Sequence, residues 1–309
     1  MVMANNLSAE LYRRSSTRHA RLRRRRVTAS LRGLTFVSPW LVGFLAFTVG
    51  PMLLSLFYSF TNYNLISAPQ FVGLANYAAM LQDPSFIQAI VDTSYMILII
   101  VPLSMGAALM YGILMSLTTR LRGIYRTILY LPSLVPAVAV AILWEWLFNS
   151  SYGLIDGMLS LIGIRGPLWL SDSQYAIPVL IIMSLWGAGN SAVLFLAALQ
   201  GVRRELYEQA MVDGAGMWAR FRKVTLPMIT PVLFFNLVTS VIGAVQFFTQ
   251  AFIMFGGNVQ FLMTFIYAAA FQNFEIGLAS AASWFLLLFT TVLVAVLFIS
   301  QRWWVFYDE

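Results

Sequence analysis

The chain has 309 residues, 60% of them hydrophobic and 10% charged, with a mean hydropathy of +0.79. Such an excess of apolar side chains cannot be hidden in one water-soluble core, which excludes an ordinary soluble domain and makes lipid the solvent. Cysteine is absent and the one histidine is His19, which excludes disulfides, thiolate or imidazole metal sites, and Cys/His or Ser/His nucleophiles, and the net charge of +7 has its explanation in where the basic residues lie.

Residues 1–32 are a basic tail carrying Arg13, Arg14, Arg18, Arg21, Arg23 to Arg26 and Arg32. Such a run could bind RNA or anionic lipid, or open a signal peptide. The favoured reading is a topology anchor beside the first span, and the apolar run that follows, about twice the length of a signal core, reads as a retained membrane helix. Nucleic acid is not needed to account for the charge.

A spanning helix needs about 20 mostly apolar residues. Six runs qualify, near 34–60, 87–117, 124–148, 176–200, 227–255 and 279–301, within a membrane domain of residues 33–302 and ahead of a short tail, 303–309. Lys and Arg collect on the cytoplasmic side. With the amino terminus inside, Arg165 alone of the 19 basic residues falls outside, so the expected fold is an all-α polytopic membrane protein with six transmembrane helices and both termini cytoplasmic.

The outer loops, 61–85, 149–175 and 256–278, are too short for separate domains but can form a docking surface. Phe271 to Phe274 is apolar enough to dip into the interface. Trp144, Trp146 and Tyr152 near the outer boundary, and Trp303, Trp304 and Tyr307 at the inner end, read as interfacial belts. Glu145, between two tryptophans, reads as an acid that reaches water.

Two spans carry polar or small-residue stripes. In the fourth, Ser184, Gly187, Ser191 and Ala198 read as a packing stripe, with Asn190 a separate candidate for a solute path. In the fifth, Asn236, Thr239, Gly243, Gln246 and Gln250 recur at three- and four-residue steps and share one face of a continuous helix. They line either a wet path or a packing seam.

Between those spans lies a cytoplasmic loop, residues 201–226. Val202, Leu206 and Ala210 at four-residue spacing predict a short helix with one apolar side. Asp213-Gly214 breaks it, a second short helix runs to about Val224, and Leu226-Pro227 opens the next span. Taken alone, Glu208 could simply pair with Arg204 one turn earlier.

The ordered set Glu208, Ala210, Asp213-Gly214-Ala215, Phe221, Val224 and Leu226-Pro227 resembles the EAA loop of binding-protein-dependent ABC importers. Phe71-Val-Gly-Leu-Ala-Asn76-Tyr77, Leu131-Pro132 followed by Trp144, Gly153-Leu-Ile-Asp156 and Ile276-Gly277-Leu-Ala279-Ser280-Ala281 extend the likeness to maltose- and glycerol-phosphate-type carbohydrate permeases. Two departures are Gln209, in place of the first alanine of Glu-Ala-Ala, and Asn258, where relatives often have proline.

The resemblance implies a permease subunit without covalent chemistry that works by alternating access. Its partners would be a second permease subunit, two ATPase subunits holding ATP and Mg, and an extracytoplasmic solute-binding protein. This chain would bind no cofactor of its own and would sit in a bacterial or archaeal cytoplasmic (inner) membrane. Glu208 would bond to the ATPase, with Asp213 and Gly214 shaping the turn. No Walker-type G-x-x-x-x-G-K-S/T loop occurs, consistent with hydrolysis on another chain. The solute would be an oligosaccharide, sugar or glycerol phosphate. An ion-coupled carrier is the alternative from another class, and it would want a buried ionisable pair in place of the isolated Asp92 and Glu145.

Overall fold

The computed structural model describes residues 36–117, 122–256 and 259–307. The basic tail with His19, Arg120, and Asn258 lie outside the described residues. The chain divides into two compact units, Met1–Phe57 and Tyr58–Glu309. Among the described residues every regular element is a helix, and extended chain pairs only at an isolated bridge between Thr61 and Phe71.

Helix α1, Phe36–Ser59, contains a π turn at Leu45–Val49. Its cause is local. Pro51 has no N–H to continue the ladder and its ring crowds the carbonyl one turn back, so the helix widens there and Gly50 N–H bonds Leu45 O.

Among the elements that follow, α2 is Ala75–Gln82 and α3 is Pro84–Ser116. Asp83 caps α3 by accepting from Ser85 N–H at 2.8 Å, with Pro84 in the first turn. At 33 residues α3 is about 50 Å long, well beyond the ~30 Å apolar layer, so it tilts or projects.

The third apolar run is not one straight helix. It forms α4, Arg122–Tyr130, a 3-10 turn at Leu131–Leu134, and α5, Ala137–Leu147, and the two arms meet at 99°. Val135 is extended because Pro136 follows it, which disfavours helical backbone. A short helix, α6, Leu154–Leu161, comes next.

The fourth run is also bent, by 47°, at Gly187-Ala188 between α7, Ala176–Trp186, and α8, Gly189–Gly201. Among the described residues four helices are long and apolar enough to cross a membrane, and the count rises to six if each bent pair is one span.

Beyond α8 lie α9, Arg204–Val212; α10, Met217–Val245; α11, Thr249–Phe255; α12, Leu262–Gln272; and α13, Ile276–Trp303. Helix α10 starts well before residue 227. A second π turn, Phe221–Thr225, just upstream of Pro227 lets the helix run through the proline, with Leu226 N–H bonded to Phe221 O. Near its far end α10 stops at Val245, and Gln246–Phe248 interrupts the run expected to reach 255.

Helix α3 packs along α8 and also meets α7, α10 and α12. A Cβ at Gly112 would press on Phe195 and the Ala192 carbonyl, and one at Gly189 would overlap the Leu129 carbonyl, so backbones here approach as only glycine allows. The buried face of α8 is Gly189, Ala192, Phe195 and Leu196, preceded by buried Ala188. It is not the expected stripe of Ser184, Gly187, Ser191 and Ala198, since the bend at Gly187 resets the helical phase.

Trp144 is buried, 5.6 Å from Phe148 and 5.8 Å from Trp186 between ring centroids, so it belongs to the core and not to a belt. Trp146 and Tyr152 remain exposed.

Two of the stretches that carry the family likeness meet at one clasp. Asn76 Nδ2 donates to the Ser59 and Thr61 carbonyls at 2.8 and 2.7 Å, and Gly277 N–H donates to Tyr63 O at 3.0 Å. Inside the opposite end, Phe306 N–H donates to the buried Thr230 Oγ1 at 2.9 Å and Trp304 packs on Phe234, tying the last described residues to α10.

Candidate functional site

Helix α9 carries Glu208 and Ala210 and ends in a glycine turn. Gly214 has φ +75°, Ala215 N–H bonds Ala210 O at 2.9 Å, and Gly214 N–H bonds Met211 O at 3.0 Å. This pair of bonds with a left-handed residue is a Schellman motif, which satisfies carbonyls that the helix end would otherwise leave open. Asp213 occupies the C-cap and is exposed.

Glu208 Oε1 lies 3.0 Å from Arg204 Nε, with both side chains largely exposed. Such a pair contributes a few tenths of a kcal/mol, so little holds Glu208 to Arg204 if a better cation arrives. The apolar side of the same helix faces inward, where Leu206 and Ala210 are half-buried; Val202, expected on that side, is extended and precedes the helix.

Sequence reasoning missed the joint beneath α9. Tyr207 OH and Thr225 Oγ1 are 2.8 Å apart, and Thr225 is buried at the π turn of α10. A cavity of about 310 Å³ opens beside them, lined in part by Met217, Arg220 and Phe221. Leu226 and Pro227 continue α10 from this point, half-buried. Also missed was the apolar surface around the turn. Val212, Met217 and Trp218 are 88, 81 and 72% exposed. Trp218 stacks on Phe221 at 5.6 Å. Exposed Met and Trp next to a Gly turn were visible in the sequence but carried no periodic signal.

The polar set of the fifth run separates into parts. Thr239, Gly243 and Gln246 are exposed, but Asn236 is buried and its Oδ1 accepts from Ser240 Oγ at 3.3 Å. Thr239 Oγ1 is bonded back to the Phe235 and Asn236 carbonyls. Gln250 lies on α11, beyond the break at Gln246–Phe248, so one continuous helical face does not join it to Gln246. Asn190 is exposed near the start of α8. The arrangement therefore offers exposed polar groups at Asn190 and Gln246, with Thr239 bonded back to its own helix and Asn236 held in the packing. Glu145 is half-buried on α5.

Comparison with known proteins agrees with this architecture. The family model for the binding-protein-dependent transport system inner membrane component matches residues 100–305. The probable ABC transporter permease protein YesP of Bacillus subtilis is 38% identical over 289 residues, covering 91% of this chain and 93% of that protein. The trehalose/maltose transport system permease protein MalF of Thermococcus litoralis is 30% identical over 277 residues, covering 89% of each. A chain of a bacterial alginate ABC transporter, crystallised in complex with alginate pentasaccharide-bound periplasmic protein, superposes with a TM-score of 0.78 at 25% identity, covering 89% of this chain and 96% of that one.

Proposed function

The chain belongs to the binding-protein-dependent transport system inner membrane component family, among its carbohydrate-uptake permeases, and from that premise we propose that it carries a sugar inward as the membrane subunit of an ATP-driven importer. The observation that carries this reading is the family match across residues 100–305, which runs from within α3 through α13. The chain is a permease and not an enzyme. Hydrolysis of ATP, with its Mg, is assigned to two ATPase subunits, and delivery of the sugar to an extracytoplasmic solute-binding protein. A second permease subunit completes the path. Six spans in the inner membrane with both termini cytoplasmic fit the basic-residue asymmetry.

Helix α9 acts in this reading as the handle for the ATPase. Glu208 leaves its weak partner Arg204 for a cation on the motor, while exposed Val212, Met217 and Trp218 bury against it. Movement of α9 then reaches α10 by two routes, the Gly214 turn and the Tyr207–Thr225 bond. A rigid-body shift of α10 alternately opens and closes a path. Asn190, Thr239, Gly243, Gln246 and Gln250 provide polar or small surface for a hydroxylated solute along it, and Asn236 steadies that face through Ser240.

The experiment is purification of the importer with and without Glu208→Ala, scored for bound ATPase and for ATP-dependent sugar uptake in vesicles. Loss of both with the chain still folded is expected. Retention of a stoichiometric ATPase and full uptake in the variant would remove Glu208 from the coupling surface. Absence of any ATP-dependent sugar uptake by the unaltered importer would remove the function itself.

A further inference from the structure

We propose that the cavity of about 480 Å³ between the start of α3, α11 and α12 is an entry subsite for a neutral saccharide, and that its charge turns acidic saccharides away. The inference rests on the sugar-importer reading and names a substrate class for it. The volume lies within the ~300–1,000 Å³ of small-molecule sites. The cavity sits at helix ends that the basic-residue asymmetry assigns to the extracytoplasmic side.

Its wall joins apolar ring surface to polar groups. Phe252 and Tyr267 both line it, with ring centroids 4.7 Å apart and planes steeply inclined, and Tyr267 continues to the exposed Phe271 at 5.2 Å. These rings can cover the C–H face of a sugar ring while the tyrosine hydroxyl stays available to a polar partner. Gln260, Gln272 and Asn273 add amide groups to the lining. At the rim Phe274 is held at φ +60°, between Asn273 and Glu275, which both line the cavity. A non-glycine residue in that backbone region is strained, and such strain gathers at binding sites.

Charge decides the class of sugar. Asp83 and Glu275 bring carboxylates to the lining, and among the described residues no Lys or Arg does. The three outer loops carry Asp83, Asp156, Asp172 and Glu275 against Arg165 alone. A uronate entering this field meets like charge, whereas a neutral hydroxylated ring meets acceptors.

The test applies saturation-transfer NMR to the full chain in lipid nanodiscs with maltotriose, cellotriose, xylotriose, arabinotriose and trigalacturonate. At least one neutral trisaccharide is expected to exceed trigalacturonate about fivefold, and to lose about that factor in Phe252→Ala and Tyr267→Ala. Glu275 is exposed, and Glu275→Gln removes its charge while keeping an acceptor oxygen, so the trigalacturonate signal should rise severalfold relative to the neutral one. Equal transfer to both classes, no transfer to any neutral sugar, or a neutral signal indifferent to the ring substitutions each overturns the subsite. Uptake by the whole importer keeps the two readings apart. A pumped saccharide whose NMR contact ignores these variants removes the subsite alone, whereas an importer that pumps no saccharide removes both.

Discussion

Gly214→Ala isolates the turn after α9 from every other effect. Gly214 has φ +75°, and a Cβ built there meets nothing within 4 Å, so the penalty is conformational and not steric. A side chain in the left-handed region costs about 1–2 kcal/mol, less for asparagine and more for a β-branched residue. The closed turn should therefore be depleted about fivefold or more by alanine, only slightly by asparagine and most by valine. Gly216 is an internal control. It lies two residues on, also has open space around its Cβ, and has φ −67°, so Gly216→Ala carries no left-handed penalty and costs only the weaker capping of alanine at the start of α10. Amide exchange at residue 215 reads the outcome directly, because that N–H closes the motif on Ala210 O. Exchange should accelerate in the order Asn, Ala, Val at position 214 and stay put for Gly216→Ala. Uptake per ATP hydrolysed should fall in the same order. Equal exchange for Gly, Asn and Ala at 214, or equal harm from the two alanine changes, would refute the reasoning.

Three further outcomes are expected. Gln246→Leu with Gln250→Leu should lower uptake about fivefold for each lost hydrogen bond to solute while assembly stays intact; normal transport by the double variant would return both residues to a packing role. Tyr207→Phe should cost about 1 kcal/mol of thermal stability by leaving Thr225 Oγ1 buried and unpaired, and should raise ATP consumed per sugar moved. Adding Thr225→Val should recover most of the stability, and no recovery would show that the bond was not the cause. Gly277→Ala would drive a methyl group onto the Thr61 carbonyl, at a cost of about 3 kcal/mol, read as loss of monodisperse protein on size exclusion; wild-type yield and melting would contradict the clasp geometry.

Hydropathy located the apolar segments because each is long and interrupted by few charges, and that property survives bending. It could not reveal the bends themselves. Pro136 sits within an apolar run whose average hardly changes when the chain turns by 99°, and Gln246 reads as one more polar residue on a helical face when it in fact lies at a helix end. Trp144 went astray for a related reason. Composition near a boundary favours a belt, but its burial follows from Phe148 and Trp186, and the second partner is distant in sequence. At the candidate handle, the glycine turn was legible from Asp213-Gly214. The Tyr207–Thr225 bond spans 18 positions and depends on the π turn of α10, which local pattern does not announce.

That widened turn has a consequence for orientation about the rod's axis. Phe221–Thr225 accommodates one residue more than an α turn would, so the side chains ahead of it are rotated by about 100° from the azimuth a regular helix would impose. Trp218 and Met217 point where they do because Pro227 forces the extra residue in. Replacing that proline with alanine would let the ladder rewind and swing both side chains around the cylinder, so the compass bearing of the exposed surface is set by a ring several positions away.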